Sequence, residues 1–361
     1  MRLKILDIYI IKKFLGTFFY SIALLTIIII IFDVSENIDD FIKNEAPLRE
    51  IVFKHYVNFI PFFINMFSYL FTFIAVIFFT SKLAMNTEII AMLSSGMSFN
   101  RLLYPYMIAA FILTIMSFFL ANFVIPRANV VRREFKNIYM ENLTKSKDQN
   151  IHLQISPGTF VYVESFNTSN LSGRRFTLEQ FDNMHQMRFK LSSDKMEYDS
   201  ISGKWQLTNY YIREIDGDRE NLKKGLMMDT LINLHPSDLF IKKEDFEVMN
   251  FYEIREYIRE QRMKGNPRVT EYEVEKHKRI AFPFATLVMT LIGVSLSSRK
   301  VRGGIGVHLG LGIGLAFFFV LVMQISSVFA TFGNLAPLLA AWMPNILFGI
   351  VAVYLYIRRL R

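Results

Sequence analysis

Ser295 and His308 are the side chains that come nearest to a catalytic arrangement in this sequence. Ser295 lies in Gly293-Val-Ser-Leu at the end of one apolar run, and His308 lies in the next run. A serine beside a histidine can act as an activated nucleophile, as in an intramembrane serine protease. The second glycine that such a site requires after its serine is missing, and both residues lie close to a basic loop. We therefore expect both to be ordinary helix-packing residues.

The motifs that would bind a nucleotide or a metal are missing as well. The sequence contains no Gly-x-x-x-x-Gly-Lys-[Ser/Thr] phosphate loop, so the chain is not expected to hydrolyse nucleotide by itself. It has no His-Glu-x-x-His motif, its six histidines are scattered, and it has no cysteine for a disulfide or a thiol site. We predict a protein that is not an enzyme, without catalytic residues, a metal site or a directly bound cofactor.

Residues 86–96 are the most informative short stretch, a loop between the second and third apolar runs. Asn86 or Thr87 can cap a short helix, Glu88 suits the positive N-terminus of that helix, and Gly96 can end it in a left-handed conformation. Its apolar face consists of Ile89, Ile90, Met92 and Leu93. Such a helix either lies on the membrane surface or docks into a groove on a cytosolic motor protein.

Four basic residues follow the third apolar run, and we name them the basic collar: Arg127, Arg132, Arg133 and Lys136. Guanidinium groups suit phosphate because their planar donors match phosphate oxygens in pairs. The collar is therefore a candidate site for lipid phosphate. The alternative is a solvated helix face, or contact with ordinary lipid headgroups.

Three glycines recur every four residues in the fifth predicted helix, and we name them the glycine stripe: Gly306, Gly310 and Gly314. The spacing places them on one side of the helix, and a bare stripe lets another helix approach closely. Two interpretations follow, packing within this chain or a movable seam against a second subunit.

The elements that must position these residues are membrane helices. Of the 361 residues, 52% are hydrophobic and 36 are Phe, which is too apolar for an ordinary soluble protein of this size. Uncharged runs occupy residues 14–32, 56–81, 102–126, 280–298 and 303–357. A membrane-spanning helix needs roughly 20 apolar residues, so the last run accommodates two spans and the sequence predicts six. No small-x-small cleavage site follows the first run, so we expect it to be retained.

The charges of the short loops predict the orientation, because short basic loops stay in the cytoplasm. The segment before the first run has four bases against one acid, whereas residues 33–54 have six acids against three bases. The other short loops and the C-terminal segment are basic, with Arg299, Lys300 and Arg302 before the fifth helix. Both termini are therefore predicted to be cytoplasmic. The net charge of +9 reflects this topology and does not indicate a nucleic-acid partner.

The middle of the chain is polar, with short alternating runs that predict an inserted all-β domain. The predicted strands are residues 151–155, 159–166, 175–181, 186–191, 205–215 and 226–234. Several short antiparallel strands at this spacing favour a small sandwich or jelly roll. Residues 127–140 and 251–264 should form flanking helices. The predicted domains are residues 1–126 with helices one to three, the β-domain at 127–279, and residues 280–361 with helices four to six.

Three motifs in this order resemble the lipopolysaccharide export permease family, LptF and LptG. They are Leu6-Asp-Ile-Tyr-Ile-Ile-Lys12 at the start of helix one, Thr87-Glu-Ile-Ile-Ala-Met-Leu-Ser-Ser-Gly96 in the inner loop, and Lys278-Arg-Ile-Ala-Phe-Pro-Phe-Ala285 at the start of helix four. The resemblance covers nearly the whole chain. The Leu-Asp-x-Tyr-Ile opening is more similar to LptG than to LptF.

This resemblance implies a six-helix subunit of the bacterial inner membrane with a periplasmic β-jelly roll. Its implied partners are a paralogous LptF-like permease, LptC- and LptA-like bridge proteins, and a cytosolic LptB-like ATPase dimer that binds the ATP and magnesium. The loop residues Thr87, Glu88, Ile89, Met92 and Gly96 would couple to the ATPase. The basic collar would bind the phosphates of lipopolysaccharide, and helices one and five would border the lateral gate.

One stretch departs from the family pattern. Members of the LptG type tend to be basic just after the first helix, whereas here a lone Lys43 follows four acids, Asp33, Glu36, Asp39 and Asp40. Either this stretch does not bind lipid phosphate, or the lipid itself differs.

Other functions remain compatible with the sequence. An ATP-driven permease for a lipoprotein or a different lipid would share the inner docking helix, and bound lipid in the purified complex would distinguish it. A membrane-anchored receptor or scaffold, whose β-domain binds a periplasmic partner, predicts that no ATPase co-purifies.

Overall fold

The computed structural model describes residues 4–140, 147–167, 170–182, 184, 186–217, 219–239, 244–266, 269–299 and 304–360. Four basic residues that enter the predicted orientation, Arg2, Lys300, Arg302 and Arg361, lie outside this set. The chain divides into two compact units. The helical unit comprises Met1–Glu141, Val248–Phe251 and Thr270–Arg361, and the β unit comprises Asn142–Glu247 and Tyr252–Val269.

The described part of the helical unit begins with α1 (Ile5–Lys43), α2 (Leu48–Glu50), α3 (Val57–Met85), α4 (Glu88–Ser94), α5 (Phe99–Phe119) and α6 (Ile125–Tyr139). Two π-helical segments, Ile51–Tyr56 and Leu120–Val124, join α2 to α3 and α5 to α6 into continuous rods. After the strands come α7 (Pro236–Leu239), α8 (Glu244–Glu247), α9 (Phe251–Met263), α10 (Val269–Ser297), α11 (Gly304–Phe332) and α12 (Pro337–Leu360).

Six helices in the described residues are long and apolar enough to cross a membrane, which confirms the predicted number. They are Ile5–Lys43, Leu48–Met85, Phe99–Tyr139, Val269–Ser297, Ile305–Phe332 and Pro337–Leu360. The rods extend beyond their apolar runs: the 39 residues of α1 span about 58 Å, whereas the hydrocarbon core is about 30 Å thick. The predicted helical continuation over residues 127–140 is confirmed by α6, and the second flanking helix by α9.

Helix α3 contributes to two apolar cores of the helical unit. The first joins it to α1 and α5 through residues such as Ile10, Phe79 and Leu102. The second joins it to α10, α11 and α12 through residues such as Met289 and Phe319. Helices from both ends of the chain therefore pack on α3.

Two glycines permit the closest approaches to α3. A Cβ added to Gly293 of α10 would lie 2.8 Å from Cγ1 of Val76, and one added to Gly312 of α11 would overlap the Cδ1 atom of Ile77. A side chain at Gly293 would press on both Cγ1 and Cβ of Val76, whereas one at Gly312 would first meet the end of the Ile77 side chain, which can move. Glycine therefore matters most where α10 lies against α3.

The β unit contains one antiparallel sheet of six described strands in the order β1-β2-β3-β4-β5-β6. The strands are β1 (Lys147–Ser156), β2 (Thr159–Asn167), β3 (Ser172–Phe181), β4 (Met187–Asp199), β5 (Lys204–Asp216) and β6 (Arg219–Thr230). The predicted all-β insertion is confirmed, and its strand order is a simple meander. Its apolar core includes Leu153, Val161, Leu178 and Leu191, which lie side by side on β1 to β4.

The last strand differs from its predicted position at residues 226–234. Strand β6 occupies Arg219–Thr230 instead, where Arg219 pairs with Asp216 and Thr230 with Trp205. It is an edge strand whose side chains are mostly exposed, so its polar first half carries no alternating apolar signal. Leu234 lies beyond the strand but is buried, and its carbonyl accepts a 2.8 Å hydrogen bond from Nε1 of Trp205.

Candidate functional site

The helix predicted over residues 86–96 is the shorter α4, Glu88–Ser94. Thr87 precedes it with φ of 63°, and Gly96 follows it with φ of 89°. The predicted side-chain cap is wrong, because the Thr87 hydroxyl donates to the carbonyl oxygen of Asn86 at 2.6 Å. The Thr87 carbonyl accepts the first intrahelical hydrogen bond, from the Ala91 amide, as the carbonyl of any residue at this position does. Gly96 ends the loop in the left-handed conformation that the sequence predicted.

The apolar residues of α4 do not form one outward face. Ile89 is 1% exposed and belongs to the first core of the helical unit, against which Met92 and Leu93 also pack. Ile90 is 51% exposed, and Thr87 is exposed on the same loop. The side of α4 available to a partner therefore contains Thr87 and Ile90, while Ile89 anchors the helix to its own chain.

Two polar contacts join this inner region to the start of α1. Nη1 and Nη2 of Arg101 donate to the two carboxylate oxygens of Asp7, at 2.6 and 2.7 Å, although the two residues are 94 positions apart in the chain. The Tyr9 hydroxyl lies 3.5 Å from an oxygen of Glu88. In the sequence, Asp7 stood out as the acid of the N-terminal segment and as part of the motif at residues 6–12, and Arg101 as a base of a short loop. Their pairing could not be read from spacing, although each stands at the edge of an apolar run where a charge is costly unless paired.

The basic collar does not form a uniform outward surface. Arg127 is exposed, whereas Arg132, Arg133 and Lys136 are partly buried. The guanidinium of Arg132 lies 3.9 Å from the centroid of the Phe59 ring, within the helical unit. It also interacts electrostatically with Asp33. Arg132 is therefore engaged inside the unit, and Arg127 is the collar residue most open to an outside ligand.

Asp33 is the centre of a cluster that the sequence did not predict. One carboxylate oxygen accepts hydrogen bonds from Nε2 of His55 at 2.9 Å and from the Tyr56 hydroxyl at 3.0 Å. His55 is fully buried among aromatic rings, including Phe59 and Phe135. The first acid after the apolar run of α1 thus points into the protein.

The glycine stripe contacts no other described part of the chain. A Cβ added to Gly306, Gly310 or Gly314 would meet no atom within 4 Å. The intrachain packing interpretation is therefore unsupported for these three glycines, and Gly312 is the glycine of α11 at a close helix contact. A seam against a second subunit stays a prediction.

Ser295 and His308 do not form a nucleophile pair among the described side chains. Ser295 is buried, and its hydroxyl has no hydrogen-bond partner in the described structure. Nε2 of His308 lies 3.1 Å from the carbonyl oxygen of Arg299, to which it can donate. This arrangement offers the serine no base.

In the described residues, six membrane-length helices, with a β meander inserted in the chain between the third and the fourth, define a polytopic membrane protein with an inserted β-domain. The family model "Lipopolysaccharide export system permease LptF/LptG" matches residues 8–358, so the chain belongs to this family. No curated protein matches the sequence. The match confirms the resemblance found in the sequence motifs and assigns the chain a permease role as a multi-pass inner-membrane protein.

Proposed function

We propose that this chain is the LptG-type permease subunit of an ATP-driven transporter that extracts lipopolysaccharide from the inner membrane and passes it to a periplasmic bridge. The family match carries the permease role. The Leu-Asp-x-Tyr-Ile opening at residues 6–10 supports the LptG type.

The inner loop is the proposed docking site for a cytosolic LptB-like ATPase dimer, which would bind the ATP and magnesium. The single observation that supports this role most is the division of α4, where Ile89 is 1% exposed and Ile90 is 51% exposed. One residue fixes the helix to the permease while its neighbour remains open to a groove. Glu88, Met92 and Gly96 maintain the shape and charge of this element.

A paralogous LptF-like permease would pair with this subunit, and the two would enclose a cavity for lipid within the membrane. Helices α1 and α11 have the least buried apolar stretches, with 17% and 22% of their residues buried, compared with 61% in α10. The exposed glycine stripe and nearby exposed residues such as Phe317 and Phe318 therefore suit a second helical surface and lipid acyl chains.

Arg127, Arg133 and Lys136 are the proposed phosphate ligands of the basic collar, while Arg132 acts mainly through Asp33. Both termini lie in the cytoplasm in this scheme, because the short basic loops are expected there. The β unit then lies in the periplasm, where it receives lipid and passes it to LptC- and LptA-like bridge proteins.

Purification of the intact complex from membranes, followed by mass spectrometry of its proteins and lipids, tests the proposal. We expect an ATPase, a second permease and lipopolysaccharide to co-purify. Another bound lipid would indicate a different permease, and an assembly without ATPase would indicate a receptor or scaffold. Retained function of Ser295→Ala would exclude the protease alternative.

A further inference from the structure

A partly buried ion pair ties the inner end of α1 to the first turn of α5. Asp7 is 1% exposed, and its two carboxylate oxygens each accept a hydrogen bond from a different guanidinium nitrogen of Arg101. The backbone amide of Lys4 donates to the same carboxylate at 2.7 Å. A bidentate pair of this kind fixes the mutual orientation of its two helices as well as their distance.

Arg101 lies in the first turn of α5, shortly after the docking loop at residues 86–96. Ser98 caps α5, and its hydroxyl oxygen accepts from the amide of Arg101 at 3.3 Å, so the short link from α4 is held at this point. Ile89 of α4 and Ile10 of α1 belong to the same apolar core. The start of α1, the docking helix and the start of α5 are thus joined by apolar packing and an ion pair.

Only 1% of the Asp7 side chain is exposed, compared with 23% for Arg101, so separating the two would leave a poorly hydrated carboxylate without its cation, which is unfavourable. The inner end of α1 therefore follows α4 and α5 when they move. Helix α1 is also a continuous rod of 39 residues with no internal proline, unlike α3, α5, α10 and α12. Its weak burial leaves it freer to swing than α10.

We infer that Asp7 and Arg101 are positioning residues for energy coupling, which make α1 the lever that carries motion of the docking helix across the membrane. This inference rests on the proposed function. It adds a transmission element distinct from the proposed docking residues of α4.

The test compares reconstituted complexes that carry wild-type permease, Asp7→Asn, Arg101→Gln, or the charge-swapped pair Asp7→Arg with Arg101→Asp. The matched control is Arg359→Gln: Arg359 lies over Phe99, 5.1 Å from the ring centroid, much as Arg101 lies over Tyr104, but it donates to Ser298, at 2.8 Å, and not to a carboxylate. Each complex is assayed for ATPase bound per permease and for lipopolysaccharide extracted per ATP hydrolysed.

Both single variants should keep the ATPase bound but lower the lipid extracted per ATP by about fivefold or more, the scale of an ordinary coupling between sites. The swapped pair should recover part of the loss, and Arg359→Gln should match the wild type. Equal extraction per ATP in the wild type and the single variants would overturn the inference, as would loss of ATPase binding. Wild-type complex that extracts no lipid with ATP would overturn the proposed function and this inference together.

A second readout separates transmission from general damage. The chain has no cysteine, so Ile5→Cys at a 90% exposed position gives a single label at the inner end of α1 once the partner subunits are cysteine-free. ATP should change its labelling rate in the otherwise wild-type complex, and Asp7→Asn should abolish that change. An unaltered ATP response in Asp7→Asn would contradict the role assigned to the pair.

Discussion

Nε2 of His55 lies 2.9 Å from Oδ2 of Asp33 and joins the segment before α3 to the outer part of α1. The histidine is fully buried, and 15% of the aspartate side chain is exposed. Tyr56 donates to the same carboxylate oxygen, and Arg132 approaches from α6. Asp33 therefore connects three helical rods.

Replacing Asp33 by Ala should destabilise the helical unit by about 1–3 kcal/mol, because the buried donors of His55 and Tyr56 lose their acceptor. Thermal unfolding of the detergent-solubilised protein measures the change. Asp39→Ala is the matched control, since Asp39 lies on the same helix and is exposed. Equal melting temperatures for the two variants would refute a structural role for Asp33.

Arg127→Gln should affect lipid binding, whereas Arg132→Gln should affect stability. Arg127 is exposed, so its loss should reduce the lipopolysaccharide that co-purifies while the melting temperature stays unchanged. Arg132 lies over Phe59 and near Asp33, so its loss should lower the melting temperature first. Lipid quantification and thermal unfolding on the same preparations decide the matter. If both variants lose the same amount of bound lipid and keep the same melting temperature, Arg132 belongs to the phosphate site after all.

Glu88→Lys should release the ATPase or uncouple it, because a basic residue then stands at the positive N-terminus of α4, where an acidic one is favoured. The measurements are ATPase co-purification and lipopolysaccharide transport. Glu36→Lys makes the same charge change at an exposed site on the outer part of α1 and should retain both. Full transport by a normally assembled Glu88→Lys complex would show that Glu88 has no role in coupling.

Gly312→Leu should destabilise the permease by about 1–3 kcal/mol, since the new side chain must displace Ile77 of α3. Gly310→Leu has open space and should leave the isolated subunit as stable as the wild type. If the glycine stripe faces the second permease, Gly310→Leu should instead weaken subunit pairing. Thermal unfolding of the subunit and size-exclusion chromatography of the pair separate the two effects.

The stability that the turn between β4 and β5 contributes should depend on pH. The Ser202 hydroxyl donates to the carboxylate of Asp199 at 2.6 Å, and together with the amide of Ile201 it lowers the pKa of Asp199 below the ordinary value of 3.8. A lowered folded-state pKa stabilises the fold above the unfolded pKa, and that stability is lost as pH falls through the folded value. Ser202→Ala should therefore be less stable than the wild type near neutral pH, with a smaller difference below about pH 4.

Fluorescence of Trp205 gives the measurement, because this residue begins the buried part of β5 next to the turn. The second tryptophan, Trp342, is replaced by Phe in every variant. Ser192→Ala, a change of the same kind in β4 away from the turn, serves as the control. A stability difference between Ser202→Ala and the wild type that persists unchanged into acid would contradict the mechanism.

The sequence predicted the features that depend on local patterns. Charges excluded from apolar runs revealed the six rods, and alternation located the strands that have one buried face. The position of β6 was predicted wrongly because an edge strand needs no apolar alternation. Its pairing with β5, in which Thr230 lies opposite Trp205, is seen only in the structure. The direction of Ile89 also depended on tertiary packing, since a seven-residue helix has too few turns to show which apolar residue faces inward.

The candidate site was predicted only in part for the same reason. Thr87, Glu88 and Gly96 were found because turns and helix ends have local signatures. The pairs Asp7–Arg101 and Asp33–His55 join residues 94 and 22 positions apart, and no single sequence pattern states which charge meets which. The sequence showed only that each of these four residues is a charged residue or a histidine at the border of an apolar run.

The neighbouring residues Val76 and Ile77 of α3 are each covered by a glycine encoded far downstream, Gly293 and Gly312. During translation, the side of α3 that carries Val76 and Ile77 therefore stays uncovered until the ribosome has made the entire β insertion and the helices that follow it. Quality-control proteases and insertion factors would meet an incomplete α3 in that interval. The order of synthesis thus makes the closure of the helical unit one of its last folding events.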